Sequence, residues 1–163
     1  MGIFLVLFVP LLFNTQTFFP FIVFKNVIFR IIIEIIFGVY LILAVQDSKY
    51  RFRLSPVILV MLGFFIAMFI STALGISPEK SIWGDYERMG GLFGMLHLFG
   101  FFIVLVSVIK NEKDWHSFFT LSIFASLIMS FVALAQKLDT PFLIYSSGGV
   151  RLTGTIGNAT YLA

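Results

Sequence analysis

Two short stretches of this sequence set an arginine among glycines and small polar residues, a combination suited to holding a phosphate. The first, residues 77–91, reads SPEKSIWGDYERMGG. Arg88 precedes Gly90 and Gly91, and glycine there permits a tight turn or close backbone approach. A guanidinium held in such a turn can meet a phosphate through two parallel N–H groups. The second, residues 148–163, reads GGVRLTGTIGNATYLA. Arg151, Thr153, Gly154, Thr155, Gly157 and Asn158 stand ahead of an apolar ramp, where Asn158 is suited to capping a helix. Exposed backbone N–H groups of a glycine-rich turn and the dipole of a following helix both favour an anion. Each stretch also has an ordinary reading. Residues 77–91 suit a solvated loop whose Trp83 and Tyr86 anchor helix ends at a membrane surface. Residues 151–158 suit a turn followed by an N-cap, and no Gly-Lys-Ser/Thr triplet makes them a nucleotide-binding loop.

The remaining polar residues point to structure before chemistry. His97 lies within an apolar run, so packing or an interhelical hydrogen bond suits it better than a proton relay. Arg30 and Glu34 are four residues apart and can neutralise one another along a helix. His116 adjoins Trp115 and reads as an interfacial residue. The two histidines are far apart and lack a carboxylate cluster at ligand spacing, so no metal site is expected. With no cysteine, thiolate chemistry and disulfides are excluded. No Ser-His-Asp order, paired acid–base carboxylates or nucleotide fingerprint emerges, and no cofactor is expected.

The elements that must carry these residues follow from composition. The 163 residues are 60% hydrophobic and 12% charged. A soluble domain carries about 25% charged residues, so a water-facing surface could not be covered. Disorder requires the opposite composition. The net charge of +3 comes from basic residues scattered along the chain, unlike the basic stripe of a nucleic-acid-binding domain. The expected fold class is therefore all-α: a single polytopic transmembrane bundle. Crossing about 30 Å of hydrocarbon takes roughly 20 apolar residues, and residues 27–45, 56–75, 91–109 and 117–136 qualify. Thr120, Ser122, Ser126 and Ser130 recur along the last of these, which suggests a face turned toward other helices. Residues 2–13 are apolar and precede the polar run 14–17, giving a fifth expected span that ends near there. An aromatic external segment then leads to Lys25. Residues 159–163 resemble the start of a further apolar ramp, so the chain reads as the N-terminal part of a longer protein.

Five spans place alternate connections on one side. Residues 47–54 and 110–116 concentrate Lys49, Arg51, Arg53, Lys110 and Lys113 in short links. By the density of basic residues this side is cytoplasmic. Residues 76–90 and 137–158 are then external, which leaves Arg88 and Arg151 outside. An anionic ligand would account for these external charges.

At these same residues the chain resembles the O-antigen ligase family of bacterial inner-membrane proteins. The segment Ser81-Ile-Trp-Gly-Asp-Tyr-Glu-Arg-Met-Gly-Gly-Leu92 carries part of the likeness. The family's run R-x-x-G-T-x-G-N-P-N-x-L-A is matched at Arg151, Gly154, Thr155, Gly157, Asn158, Leu162 and Ala163. The chain departs at Ala159 and Thr160, where the family more often has Pro-Asn. Phe19-Pro20-Phe21, Lys25 and Phe29-Arg30 are also similar to the family's first external stretch.

The resemblance implies a larger bundle in the inner membrane, multi-pass, with its external loops periplasmic. It implies metal-independent, inverting transfer of a glycan from a polyprenyl-diphosphate carrier to a lipid or other acceptor. Arg151 first and Arg88 second would hold the donor diphosphate. Gly154, Thr155, Gly157, Asn158, Trp83 and Glu87 would shape their loops. The family's assisting histidine belongs to a later external loop, so neither His97 nor His116 takes that role and no catalytic residue is assigned. The implied partners are the glycan donor, the acceptor and membrane lipids, with no nucleic acid. Polymerase and protein-glycosylating relatives share the pattern. A transporter or channel, with Arg30, Glu34 and His97 along a polar path, and a non-enzymatic scaffold are the readings outside the family.

Overall fold

A computed structural model describes residues 2–14, 16–86, 88–138 and 151–162. Among these residues the secondary structure is helical, with no strand. The α-helices are α1 (Gly2–Leu5), α2 (Val23–Gln46), α3 (Pro56–Leu74), α4 (Pro78–Trp83), α5 (Leu92–Val108), α6 (Glu112–Lys137) and α7 (Ala159–Leu162). Three of them, α2, α3 and α6, are long and apolar enough to cross a membrane. Outward residues such as Ile35 and Val39 of α2, Val60 and Ile66 of α3, and Phe131 of α6 are exposed. Side chains of this kind, in long helices, suit a hydrocarbon solvent.

The two other expected spans are shorter. Helix α5 has 17 residues, bounded by Gly91 and by the polar Lys110–Asn111 link. Gly2–Leu5 continues into a 3-10 helix, Val6–Leu11, that contains Pro10. Proline lacks an N–H and clashes with the carbonyl four residues back, which opposes a continuous α-helix there. Neither segment reaches the length of the other three apolar helices.

Local signals explain several boundaries. Ser55 Oγ accepts from Ile58 N at 3.4 Å and Pro56 occupies the first turn of α3. This is the favoured arrangement of cap and proline. Asp47 Oδ1 accepts from Lys49 N at 2.8 Å, which stabilises the turn after α2. Helix α2 begins four residues before the expected position because Val23 N already bonds Phe19 O.

The chain divides into two compact units, Met1–Ile32 with Asn111–Ala163, and Ile33–Lys110. In the first, α6 buries Ala125, Met129, Ala133 and Gln136. Their spacing of three and four places them along one helix face. The 3-10 segment packs on α6, and Phe4 meets Phe118 at 6.5 Å. The hydroxyls of Ser117, Ser126 and Ser130 donate to Lys113 O, Ser122 O and Ser126 O on the same helix. Those serines are therefore satisfied within α6 and are exposed.

In the second unit, Phe65 of α3 stacks near Phe99 of α5 at 4.5 Å. Gly100 of α5 faces Ile33 and Phe37 of α2, and Tyr40 Oη donates to Ser107 Oγ at 3.2 Å. Glu34 meets His97 across the same seam. Residue numbers rise together along both helices at these contacts, so α2 and α5 run parallel.

Candidate functional site

Residues 151–158 form a loop clamped from three places in the sequence. Gln136, buried in the last turn of α6, supplies the main clamp. Its Oε1 accepts from Gly154 N at 2.8 Å and Thr153 N at 3.3 Å, while its Nε2 donates to Gly154 O at 3.2 Å. A single amide thereby satisfies both donors and acceptors of the loop backbone. Thr155 Oγ1 donates to Pro10 O at 2.7 Å and rests 3.0 Å from Met129 Sδ. Lys25, in the first turn of α2, donates its ammonium to Thr155 O at 2.5 Å.

Glycine is required at two points of the loop. Gly154 has φ +54° and Gly157 has φ +79°, a region that side chains with a Cβ enter at a cost. A Cβ on Gly157 would also lie 2.5 Å from Phe21 Cβ and Cγ. Gly157 N closes the turn on Thr153 O at 3.2 Å. Asn158 Oδ1 accepts from Thr160 N at 2.9 Å, the capping role that its position before α7 suggested. Arg151 sits exposed at the start of the loop, while Thr153 and Thr155 are buried inside it.

One atom in this loop stands out. Thr153 Oγ1 is buried and has no hydrogen-bond partner among the described residues, although its residue is 1% exposed. A buried hydroxyl in that state costs about 1–3 kcal/mol relative to a bonded one.

Residues 84–91 form a different kind of loop. Trp83 ends α4 and lies 5.1 Å from the Phe93 ring of α5. Gly84 takes φ +79°, and a Cβ on it would come within 2.5 Å of Gly91 N and 2.7 Å of Gly90 N. A Cβ on Gly91 would overlap Ile82 O and Gly84 N. The chain therefore passes close to itself at Gly84 and Gly91. Met89 N bonds Asp85 O at 2.7 Å, and Lys80 pairs with Asp85 at 3.0 Å on the exposed side. Arg88 is exposed in this loop. Gly90 has open space where a Cβ would stand, so the close approach requires Gly84 and Gly91 but not Gly90. Glu87, the other expected shaping residue, lies outside the described residues.

The two arginines thus belong to loops in different units. Arg151 is in the unit built on α6, and Arg88 is in the unit built on α3, α4 and α5. The sequence pointed to the loop residues themselves but not to Gln136 or Pro10, and it noted Lys25 as the end of an external segment and by resemblance, not as a partner of the loop. A signal for Gln136 was present: it is an amide at the end of an apolar run, and such a group needs partners once buried.

Among the described residues, no three His, Asp or Glu side chains converge as metal ligands. A cavity of about 280 Å³ in the second unit is lined by apolar groups, among them Phe69, Ala73, Ile82, Leu92 and Phe93. Comparison with known proteins finds no matching family model, no matching curated protein and no matching solved structure.

Proposed function

We propose that this chain is part of a membrane glycan transferase of the O-antigen ligase type. It crosses the bacterial inner membrane five times, with α5 and the N-terminal helical segment joining the three long apolar helices. Loops 76–90 and 137–158 face the periplasm. The donor is a glycan on a polyprenyl diphosphate, and the acceptor is a lipid or another molecule.

The observation that carries this reading is the clamped loop 151–158. Gln136, Lys25 and Pro10 hold its backbone, and Arg151 stands exposed at its edge. A guanidinium anchored to a fixed loop is preorganised, so little rearrangement is needed when negative charge develops. In glycan transfer the acceptor oxygen bonds to the sugar's anomeric carbon as the bond to the diphosphate breaks. The electron pair passes to the leaving diphosphate, and Arg151 would stabilise that charge through its planar fork of donors. Arg88, on the second loop, is the next candidate for a phosphate contact. His97 and His116 take no part in this chemistry.

The test is Arg151→Ala placed in the chromosomal gene. Loss of glycan transfer with unchanged membrane insertion supports the reading; undiminished transfer removes Arg151 from the site. Arg151→Lys separates charge from geometry, because lysine keeps the cation but loses the fork.

A transporter reading draws on one observation, the Glu34–His97 pair within apolar helices. The described cavity of the second unit offers it little, since an ion path needs polar lining.

A further inference from the structure

Glu34 lies near the middle of α2, and His97 lies within α5. His97 is 9% exposed, whereas the Glu34 side chain is 63% exposed. His97 Nδ1 stands 2.7 Å from Phe93 O. A carbonyl oxygen only accepts, so Nδ1 carries a hydrogen. His97 Nε2 stands 3.1 Å from Glu34 Oε1. A bare ring nitrogen and a bare carboxylate would present lone pairs to each other, so a second hydrogen lies between them. It sits on nitrogen, giving an ion pair, or on oxygen, giving two neutral groups. Both forms have zero net charge, which suits a segment where isolated charge is costly.

The surroundings hold this arrangement. The Phe93 ring meets the imidazole edge-on at 4.6 Å, and Phe93 in turn contacts Trp83. Gly100 of α5 faces Ile33 and Phe37 of α2 one turn beyond His97. Titratable groups nearby are few. Helix α5 has no other, α3 has none, and α4 carries Glu79 and Lys80, both exposed. On α2, Arg30 lies one turn before Glu34.

We infer that Glu34 and His97 form a proton-binding site inside the membrane, in which one proton is shared between Nε2 and Oε1 and exchanges through the exposed side of the carboxyl group. The inference is independent of glycan transfer, since neither residue belongs to the arginine loops.

A hydrophobic carbodiimide tests it. Dicyclohexylcarbodiimide partitions into membranes and reacts with a protonated carboxyl. The acid proton passes to a carbodiimide nitrogen and the carboxyl oxygen bonds to the central carbon. An acyl shift from oxygen to nitrogen then leaves a stable N-acylurea, with every atom of both reactants retained. In native membranes carrying the intact protein, mass spectrometry should find one adduct, on Glu34. His97→Asn keeps a hydrogen-bond donor but cannot share a proton with the carboxyl, and should change labelling of Glu34 by a factor of ten or more under the same conditions. His97→Phe gives a second variant should asparagine disturb folding. Glu34→Gln should abolish the adduct. Failure of wild-type Glu34 to react, or labelling unchanged in both His97 variants, would overturn the inference. The last result would leave the pair as a hydrogen bond that only ties α2 to α5.

Discussion

Residues 84–91 are closed by their own backbone, whereas residues 151–158 are closed by side chains from elsewhere in the chain. In the first loop, Gly84 and Gly91 approach so closely that neither leaves room for a Cβ. Every contact described for that approach falls within a few residues in sequence. In the second, Gln136, Lys25 and Pro10 reach the loop across separations of 18, 130 and 145 residues. A locally closed loop keeps its shape wherever its helix ends are held. A remotely closed loop is ordered only when α2, α6 and the N-terminal 3-10 segment are in place. An arginine on the second loop is therefore coupled to the packing of its unit.

The largest effect that would test this contrast is Gly157→Ala. Left-handed backbone costs a residue with a Cβ about 1–2 kcal/mol, and displacement of Phe21 adds to it. Thermal unfolding in detergent should show a clear loss of stability, with rapid proteolysis at residues 151–158 and little change at 84–91. Equal protection in wild type and variant would mean that the loop tolerates another path. Gly91→Ala makes the reciprocal cut. It should expose residues 84–91 to proteolysis and leave 151–158 protected, while Gly90→Ala should behave as wild type because open space surrounds that position.

Gln136→Leu sharpens the remote clamp. It retains apolar bulk but strips the partners of Thr153 N and Gly154 N, and each buried orphan costs about 1–3 kcal/mol. Hydrogen exchange at those two amides should accelerate before the rest of α6 does. Thr153→Val works in the opposite direction. Replacing an unpaired buried hydroxyl by a methyl should raise stability by about 1 kcal/mol, read as a higher melting temperature. A fall in transfer activity alongside that gain would assign the hydroxyl to substrate. The smallest effect belongs to Lys80→Ala. The Lys80–Asp85 pair is solvent-exposed, where such pairs contribute about 0–1 kcal/mol, and the close backbone approach should hold without it.

Much of the helical plan was legible because apolar runs and their ends are local signals. Ser55-Pro56 marks the start of α3, and Gly91 and Lys110 bound α5. Residues 2–13 were less legible, because their hydropathy suggested a span while Pro10 imposes a different local geometry. At the candidate site, Gly154, Gly157 and Asn158 were identifiable from turn and cap chemistry. Lys25 as a loop anchor was not, because nothing near it in sequence reveals a carbonyl 130 residues away. Glu34 was paired in sequence with Arg30 by spacing along one helix. The structure gives it His97, which only the packing of α2 on α5 could supply.

By itself the sequence determined the solvent of this protein: too few charges to face water, and apolar runs long enough for hydrocarbon. It also determined where backbone must turn, because glycine, proline and capping side chains act within a few residues of themselves. Tertiary structure alone decided which polar groups meet. A buried amide, ammonium or imidazole must find a partner, but its own position does not say which one. That choice rests on helix packing, which carries Gln136 to Gly154, Lys25 to Thr155 and Glu34 to His97.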